Sequence, residues 1–152
     1  MPTITTFLTF NDQAVEAVHH YLSIFKDGKI VSTMPGPNDT VMGLTFELLG
    51  QTFIALNGGP SFSFNEGISL FVSVDTQEEV DRYWTKLTEN GGKEVQCGWL
   101  VDKFGVSWQI VPKILPKLFG DKDREKAGRA IQAMMGMKKL DIAGLHKAFD
   151  GK

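Results

Sequence analysis

Residues 1–60 alternate between two hydrophobic periods. The segment from Ile4 to Phe10 is rich in Thr, Phe and Ile, which predicts a strand. Asn11-Asp12 is expected to cap a helix whose apolar side chains recur at spacings of three and four, and Asp27-Gly28 ends it. Three further strands are predicted at Lys29 to Met34, Val41 to Leu49 and Gln51 to Asn57. This order indicates one βαβββ module.

The same order returns in the second half of the chain. A strand is predicted at Ile68 to Val74, and Thr76 with Glu79 forms a capping box before a second amphipathic helix. In the two helical stripes, Tyr21 corresponds to Trp84. The remaining strands are predicted at Glu94 to Trp99, Leu100 to Lys103 and Ser107 to Val111. The repetition indicates a diverged internal duplication.

The fold class expected from this pattern is α+β. It has two βαβββ modules, whose curled mixed sheets form a cleft, and C-terminal helices. We expect a single domain over 1–152, with a first module at 1–60, a second at 61–113 and a helical tail at 114–152. Asp123 and Asp141 are predicted to cap the tail helices. The apolar stripe of the tail contains methionines and indicates packing on the domain or on a second subunit, although a partner groove is an alternative.

The composition excludes two classes of partner. A formal net charge of -2 over 152 residues leaves no electrostatic footprint for nucleic acid or an anionic membrane. No apolar run approaches the roughly 20 residues needed to cross a bilayer, and the start lacks the pattern of a signal peptide. The lone Cys97 cannot form an internal disulfide, so a cytoplasmic location is expected.

A specific string occupies the second module. Residues 97–112 read Cys-Gly-Trp-Leu-Val-Asp-Lys-Phe-Gly-Val-Ser-Trp-Gln-Ile-Val-Pro. With Asn57-Gly58-Gly59-Pro60, Phe64-Asn65-Glu66 and residues 137–142, this string resembles the PhnB-like family, which often carries the label 3-demethylubiquinone-9 3-methyltransferase. That family belongs to the glyoxalase/bleomycin-resistance/dioxygenase, or vicinal oxygen chelate, superfamily. The resemblance implies paired βαβββ modules around a cleft, and a homodimer.

The resemblance also implies where a metal would be bound. Metal-using members of the superfamily hold a divalent ion with His and Glu residues on the first and last strands of each module. At those places this chain has Ile4 or Thr5, Ile54 or Ala55, Ile68 and Gln109. Aliphatic side chains offer no lone pairs, and neutral Thr and Gln oxygens are weak ligands for Zn, Fe or Ni. The three histidines show no paired spacing that would replace these ligands. We therefore expect no metal and no cofactor.

Gln109 is more informative as a binding residue. Strand alternation places it on one face with Ser107 and Val111, while Trp108 and Ile110 occupy the other. If Trp108 packs under the helices, Gln109 lines the cleft with an acceptor and two donors. The alternative, that Gln109 only satisfies neighbouring backbone groups, stays open.

Four further residues complete the candidate binding set. Trp99 and Asp102 lie on the hairpin that would border the cleft, where an aromatic face beside a carboxylate suits a flat or cationic ligand. Ordinary hairpin packing is the alternative for both. Asn57 ends the fourth predicted strand, and Phe64 lies in the linker that follows, where it could cover a cleft or a partner.

These observations predict a homodimeric protein that binds a small organic molecule without a metal. Whether it is an enzyme stays open, and no catalytic residue is identified. The alternatives are a metal-dependent isomerase, lyase or dioxygenase, a sequestration module that does no chemistry, and the methyltransferase of the family label. The last lacks the strand, glycine-rich turn and helix where S-adenosylmethionine is bound in Rossmann-type folds.

Overall fold

The computed structural model describes all residues from Met1 to Lys152 and divides into two compact units. The first unit covers Met1–Phe64 and the second covers Asn65–Lys152. Each unit holds one four-stranded sheet of mixed strand direction. The tail predicted at 114–152 therefore lies inside the second unit.

The first unit has the order β1, α1, β2, β3, β4. The bounds are Thr6–Phe10 for β1, Ala14–Ile24 for α1, Lys29–Pro35 for β2, Val41–Leu48 for β3 and Gln51–Asn57 for β4. The strands lie in the order β1-β4-β3-β2, with β1 parallel to β4 and the other pairs antiparallel. Helix α1 packs on β3 and β4, where Tyr21 and Phe46 are fully buried.

The start of α1 differs from the sequence prediction. The helix begins at Ala14 after Gln13, and neither Asn11 nor Asp12 caps it. Instead the Ala14 N–H donates to Asn57 Oδ1 over 2.8 Å, so the last residue of β4 satisfies a donor that has no partner inside the helix. Local capping rules could not find this contact, because 43 residues separate the two groups.

The second unit repeats the order and then adds three helices. The strands are β5 at Leu70–Val74, β6 at Lys93–Glu94, β7 at Trp99–Val101 and β8 at Ser107–Pro112. The helices are α2 at Gln77–Thr88, α3 at Ile114–Phe119, α4 at Arg124–Met135 and α5 at Ile142–Asp150. The strand order is β5-β8-β7-β6, and β5 is parallel to β8. The capping box predicted at Thr76 and Glu79 is present.

The equivalent strand orders confirm the α+β class and the repeated βαβββ module. Tyr21 of α1 and Trp84 of α2 are both buried, as their corresponding positions predict. The strand predicted from Glu94 to Trp99 is wrong. The observed strand, β6, ends at Glu94. Cys97 and Gly98 have φ of 62° and 84°, in the left-handed region, so the backbone before Trp99 is not extended.

The helices after β8 pack on the second sheet through one apolar cluster. Its buried members are Val111, Leu115, Leu118, Ala130, Leu140 and Leu145. Helix α3 lies in the tail predicted to be helical, although no cap or apolar stripe marked it as a separate helix. The cap predicted at Asp123 is confirmed, since its side chain accepts from the Lys126 N–H. No α-helix here combines the length and the hydropathy that crossing a bilayer requires.

Candidate functional site

A row of three side chains crosses the second sheet. Gln109 on β8 pairs with Phe71 of β5 on one side and with Trp99 of β7 on the other. Residues in register share a face, so all three point away from α2, on whose side Trp108 and Ile110 are buried. This is the alternation that the sequence of β8 predicts.

One end of the Gln109 amide is fixed by the protein. Its Nε2 donates to Ser69 Oγ over 2.9 Å, and Ser69 lies two residues before Phe71, on the same side of the sheet. The Gln109 carbonyl oxygen accepts no hydrogen bond from the protein. Gln109 is half-buried, so this oxygen is an oriented acceptor that a bound molecule can use.

The row forms one wall of a pocket of about 280 Å³. The opposite wall comes from α3 and α4, the helices that follow the second module. The lining residues are Phe71, Cys97, Trp99, Gln109, Val111, Leu115, Pro116, Phe119 and Met134. Apart from the Gln109 amide, the Cys97 thiol and the Trp99 indole N–H, these side chains are apolar. The pocket therefore favours an apolar ligand with few polar groups.

Cys97 and Gly98 join the sheet to the C-terminal segment. The Cys97 N–H donates to the Met137 carbonyl over 2.7 Å, and the Gly98 N–H donates to the Lys138 carbonyl over 2.9 Å. A Cβ at Gly98 would lie 2.9 Å from Leu140 Cδ1 and 3.2 Å from a backbone oxygen of β8, so only glycine fits both the φ and the space. This close approach positions Cys97 in the pocket wall.

Side chains of α2 hold the same segment from another direction. Gln77 Nε2 donates to the Leu140 carbonyl over 3.0 Å, and Gln77 Oε1 accepts from the Ile142 N–H over 2.8 Å. The latter contact satisfies the first turn of α5, so the side-chain cap predicted at Asp141 is wrong.

An ion pair adds to this attachment. Lys139 Nζ lies 2.9 Å from Asp81 Oδ1. Hydrogen bonds from Gln77 and Lys139 lower the pKa of Asp81 from its ordinary value of 3.8. We call residues 137–142 with their contacts to Gln77, Asp81, Cys97 and Gly98 the tail latch.

Asp102 has a different environment from the one predicted. It is 2% exposed, and it does not line the pocket. Its Oδ1 accepts from the Phe104 and Val106 N–H groups, and its Oδ2 accepts from Trp108 Nε1. The carboxylate thus organises the β7–β8 hairpin and fixes the Trp108 ring under α2.

Two other predicted residues, Asn57 and Phe64, lie in the first unit. Besides its contact with Ala14, the Asn57 amide donates to the Val41 carbonyl over 3.5 Å. The Phe64 ring meets Phe10 edge-on, with 5.2 Å between centroids. Of the five predicted binding residues, the structure therefore brings together Gln109 and Trp99.

The first sheet has a corresponding row. Ile54 of β4 pairs with Phe7 of β1 and with Thr45 of β3. A pocket of about 310 Å³ lies beside it between β2, β3 and β4. No helix of the first unit follows β4, so this unit supplies no second wall of its own for the row.

These residues do not fit a divalent transition metal. Ile54 and Gln109 occupy matching register positions, and Ile4 and Ile68 lie outside the strands, 102% and 79% exposed. Glu47, the carboxylate of β3, is paired with Lys29 at 3.8 Å. No three His, Cys, Asp or Glu side chains converge anywhere in the chain. The donor set that Zn or Fe requires is missing.

A wider groove of about 620 Å³ lies between α4 and α5. Arg129 is one of the polar residues that line it, and its Nε and Nη2 donate to the Ala148 and Phe149 carbonyls over 3.0 and 2.8 Å. The guanidinium therefore caps the end of α5. Since its donors already have partners, this groove is a weaker candidate than the pocket around Gln109.

Sequence reasoning missed most of the pocket wall. Phe71 could have been found from the pairing of β5 with β8, which the module order implies. Met134 belongs to the apolar stripe of the tail, which predicts packing on the domain or on a second subunit, or a groove for another partner. No cap or apolar spacing marked the segment that holds Leu115, Pro116 and Phe119, although it lies in the predicted helical tail.

Comparisons with known proteins identify the family. The model described as 3-demethylubiquinone-9 3-methyltransferase matches residues 2–111. A PhnB protein from Bacillus cereus is 35% identical, with a TM-score of 0.67, over 73% of this chain and 99% of that chain. A Pseudomonas aeruginosa protein is 22% identical, with a TM-score of 0.61, over 74% of this chain and 98% of its own. No curated protein matches the chain.

A more distant structure shows the same fold. A glyoxalase/bleomycin resistance protein from Albidiferax ferrireducens is 14% identical, with a TM-score of 0.51, over 73% of this chain and 98% of its own. The family model ends before α3, so the pocket wall from α3 and α4 lies beyond the matched residues. The chain belongs to the PhnB-like family described as 3-demethylubiquinone-9 3-methyltransferase, and it has the glyoxalase/bleomycin resistance fold.

Proposed function

We propose that this protein binds a small organic molecule in the pocket of the second unit. The observation that carries the proposal is Gln109, whose amide is held by Ser69 while its carbonyl oxygen has no protein partner. Around it the pocket is lined almost entirely by apolar side chains, Trp99 among them. A mostly apolar pocket with one oriented polar group is the usual composition of a ligand site.

Three predicted residues are left out of the proposed site. Asp102 is buried and accepts three hydrogen bonds inside its hairpin. Asn57 and Phe64 belong to the first unit, where they contact Ala14 and Phe10. We propose binding without a metal, because the side chains at the superfamily's ligand positions cannot supply a Zn, Fe or Ni donor set.

The family description names methyl transfer, and the pocket offers little support for that reaction here. Removal of a proton from a methyl acceptor calls for a positioned general base. The lining residues include no His, Asp, Glu, Lys or Tyr. The connection from β1 to α1, Asn11 to Gln13, also contains no glycine. We therefore propose a binding role and assign no catalytic residue.

We further propose a homodimer in the cytoplasm. Support comes from exposed apolar side chains of the first unit, with Phe7 52%, Val31 51% and Met34 49% exposed, which is the kind of surface a second subunit covers. The unpaired Cys97 supports a reducing compartment. Light scattering at micromolar concentration should give twice the mass of 16.8 kDa, and a monomer would contradict the dimer.

The binding proposal is tested by a thermal-shift screen of metabolites against the untagged protein. A compound at 100 times its Kd stabilises the fold by about 2.7 kcal/mol. For a chain of this size, that is a rise of roughly 5 to 10 °C in Tm. Any compound that raises the Tm by this amount is titrated against Gln109→Ala and against the matched variant Gln96→Ala, which changes an exposed glutamine outside the pocket.

We expect Gln109→Ala to weaken binding about ten-fold and Gln96→Ala to leave it unchanged, because of these two glutamines only Gln109 lines the pocket. Elemental analysis should find well under one transition-metal ion per chain in all three proteins. Equal affinities for the two variants would contradict the assigned site. Stoichiometric Zn, Ni or Fe that survives dialysis would contradict metal-free binding.

A further inference from the structure

The chemistry of the pocket restricts the charge of its ligand. None of the lining side chains belongs to a basic or carboxylic residue. A charged group placed against this lining loses part of its hydration and gains no opposite charge. A neutral molecule avoids this penalty.

The pocket also restricts the polar groups of the ligand. The Gln109 carbonyl oxygen is the acceptor left open after Nε2 has donated to Ser69. It would pair with an N–H or O–H group. The other lining side chains offer no acceptor stronger than the sulfur atoms of Cys97 and Met134, so one donor fits the pocket best.

The size and the walls describe the rest of the molecule. A volume of about 280 Å³ corresponds to about nine waters at roughly 30 Å³ each, which is room for about ten heavy atoms. The sheet contributes the rings of Phe71 and Trp99, and the added helices contribute the Phe119 ring and the Met134 thioether. Aromatic faces and a thioether pack well against a flat ring.

The walls from the added helices are firmly held. Leu115 and Leu118 of α3 are 7% exposed and belong to the buried cluster with Val111. The tail latch holds the segment that follows α4 through Gln77, Cys97 and Gly98. Phe119 and Met134 are half-buried, pack against the cluster and line the pocket.

We infer that the pocket selects a neutral, planar, aromatic molecule of about ten heavy atoms with one N–H or O–H donor, and that Phe119 and Met134 determine this selectivity. The inference rests on the proposed binding function. It adds the ligand class, and it assigns specificity to helices beyond the residues that match the family model.

The experiment uses three probes that share one ring system. Indole is neutral with one donor, 1-methylindole lacks the donor, and indole-3-carboxylate carries a negative charge. Binding is measured by calorimetry and by how far each probe slows the reaction of Cys97, the only cysteine and a pocket residue, with N-ethylmaleimide. Indole should bind roughly three- to ten-fold more tightly than 1-methylindole, because one neutral hydrogen bond is lost. The carboxylate should bind at least about ten-fold more weakly than indole.

The wall is tested with two neighbouring methionines of α4. Met134→Phe should fill the pocket and weaken indole at least ten-fold, whereas Met135→Phe, at a site 56% exposed and outside the pocket, should bind as the unchanged protein does. Circular dichroism and Tm check that both variants fold. If Met134→Phe does not fold, Met134→Ala replaces it, and the enlarged pocket should gain affinity for the three-ring carbazole.

The outcomes separate the ligand class from the binding function. The ligand class is overturned if indole and indole-3-carboxylate bind equally, or if no indole binds while another compound does so in a Gln109-dependent way. The role of the helix wall is overturned if Met134→Phe binds indole as Met135→Phe does. If no molecule binds in a Gln109-dependent way, the proposed function fails together with the inference.

Discussion

The two sheets of this protein share one strand order, yet the rows across them differ. Phe7 and Phe71 hold the same register position and are similarly exposed, at 52% and 56%. Beside them, Ile54 stands where the second sheet has Gln109. Both modules therefore place a similar row of side chains on their sheets. The central residue, Ile54 in the first row and Gln109 in the second, determines whether the row has a polar group that a ligand could contact.

The third position of each row widens the difference. Thr45 in the first sheet corresponds to Trp99 in the second, so an aromatic face replaces a small polar one. Only the second sheet is followed by helices of its own unit that face the row. The pocket of the second unit thus differs from the one beside the first row by two row residues and an added helical segment.

The largest expected effect concerns the hairpins that carry these rows. The β3–β4 hairpin is a two-residue turn, whereas the β7–β8 hairpin depends on the buried Asp102 carboxylate. Asp102→Ala leaves three donors without their acceptor, and the free energy of unfolding should fall by about 4 kcal/mol in urea titrations. Asp102→Asn should lose less, because its amide oxygen still accepts from the backbone. Equal losses would mean that the hydrogen bonds are not the cause.

The next effect separates backbone strain from crowding at two glycines. Gly50 and Gly98 have nearly equal φ, 83° and 84°, but a Cβ meets nothing within 4 Å at Gly50 and meets Leu140 at Gly98. Gly50→Ala should reduce the free energy of unfolding by about 1 to 2 kcal/mol from strain alone. Gly98→Ala should reduce it by about 3 kcal/mol, since crowding in the buried cluster is added. Thermal unfolding measures both, and a larger loss at Gly50 would contradict the close approach of the tail latch.

Exchanging the central residues tests the comparison directly. Gln109→Ile gives the second row the centre of the first and should weaken a ligand from the screen about ten-fold, with stability within about 1 kcal/mol of the unchanged protein. Ile54→Gln, the reverse exchange, should leave that affinity unchanged, because the first row has no helical wall. Calorimetric titration decides. If Gln109→Ile bound the ligand with wild-type affinity, the Gln109 amide would not contribute to binding.

The smallest effect is electrostatic and lies in the tail latch. The folded pKa of Asp81 is below its ordinary value of 3.8, so its contribution to stability is complete above about that pH and is lost as the pH falls through the folded pKa. Asp81 and Lys139 are 47% and 42% exposed, which limits the pair to about 1 kcal/mol or less. Asp81→Asn should show this loss at pH 7, and the loss should disappear as the pH falls through the folded pKa of Asp81. A double-mutant cycle with Lys139→Met isolates the pair, and a coupling that does not depend on pH would contradict it.

Much of the fold follows from periodicity and caps. The positions of β1 to β5, α1, α2 and β8, the Thr76 capping box and the Asp123 cap could be predicted because each depends on neighbours in sequence. The alternation within β8 likewise placed Gln109 and Trp108 on opposite faces. These are local properties of the chain, and local rules describe them well.

What could not be predicted depends on contacts between distant residues. Gln77 takes the place of the Asp141 cap from 65 residues away, and Asn57 takes the place of an Asn11 or Asp12 cap. The sequence predicted Asp102 as a binding residue because it lies on the hairpin that would border the cleft. In the structure its carboxylate accepts hydrogen bonds from three donors that only the folded hairpin brings together. The pocket itself needs α3, whose six residues are too few for a periodic signal.

The tail latch also has a consequence for the order of synthesis. Chains emerge N-terminus first, at about 5 to 20 residues per second, and residues 137–142 contact partners made 40 to 65 residues earlier. Both sheets are therefore complete in sequence before the latch exists. A polypeptide terminated between β8 and Met137 would contain every strand and lack the attachment that holds the outer wall of the pocket. Binding at the proposed site should therefore be weaker in chains that end before Met137 than in chains made through Ile142.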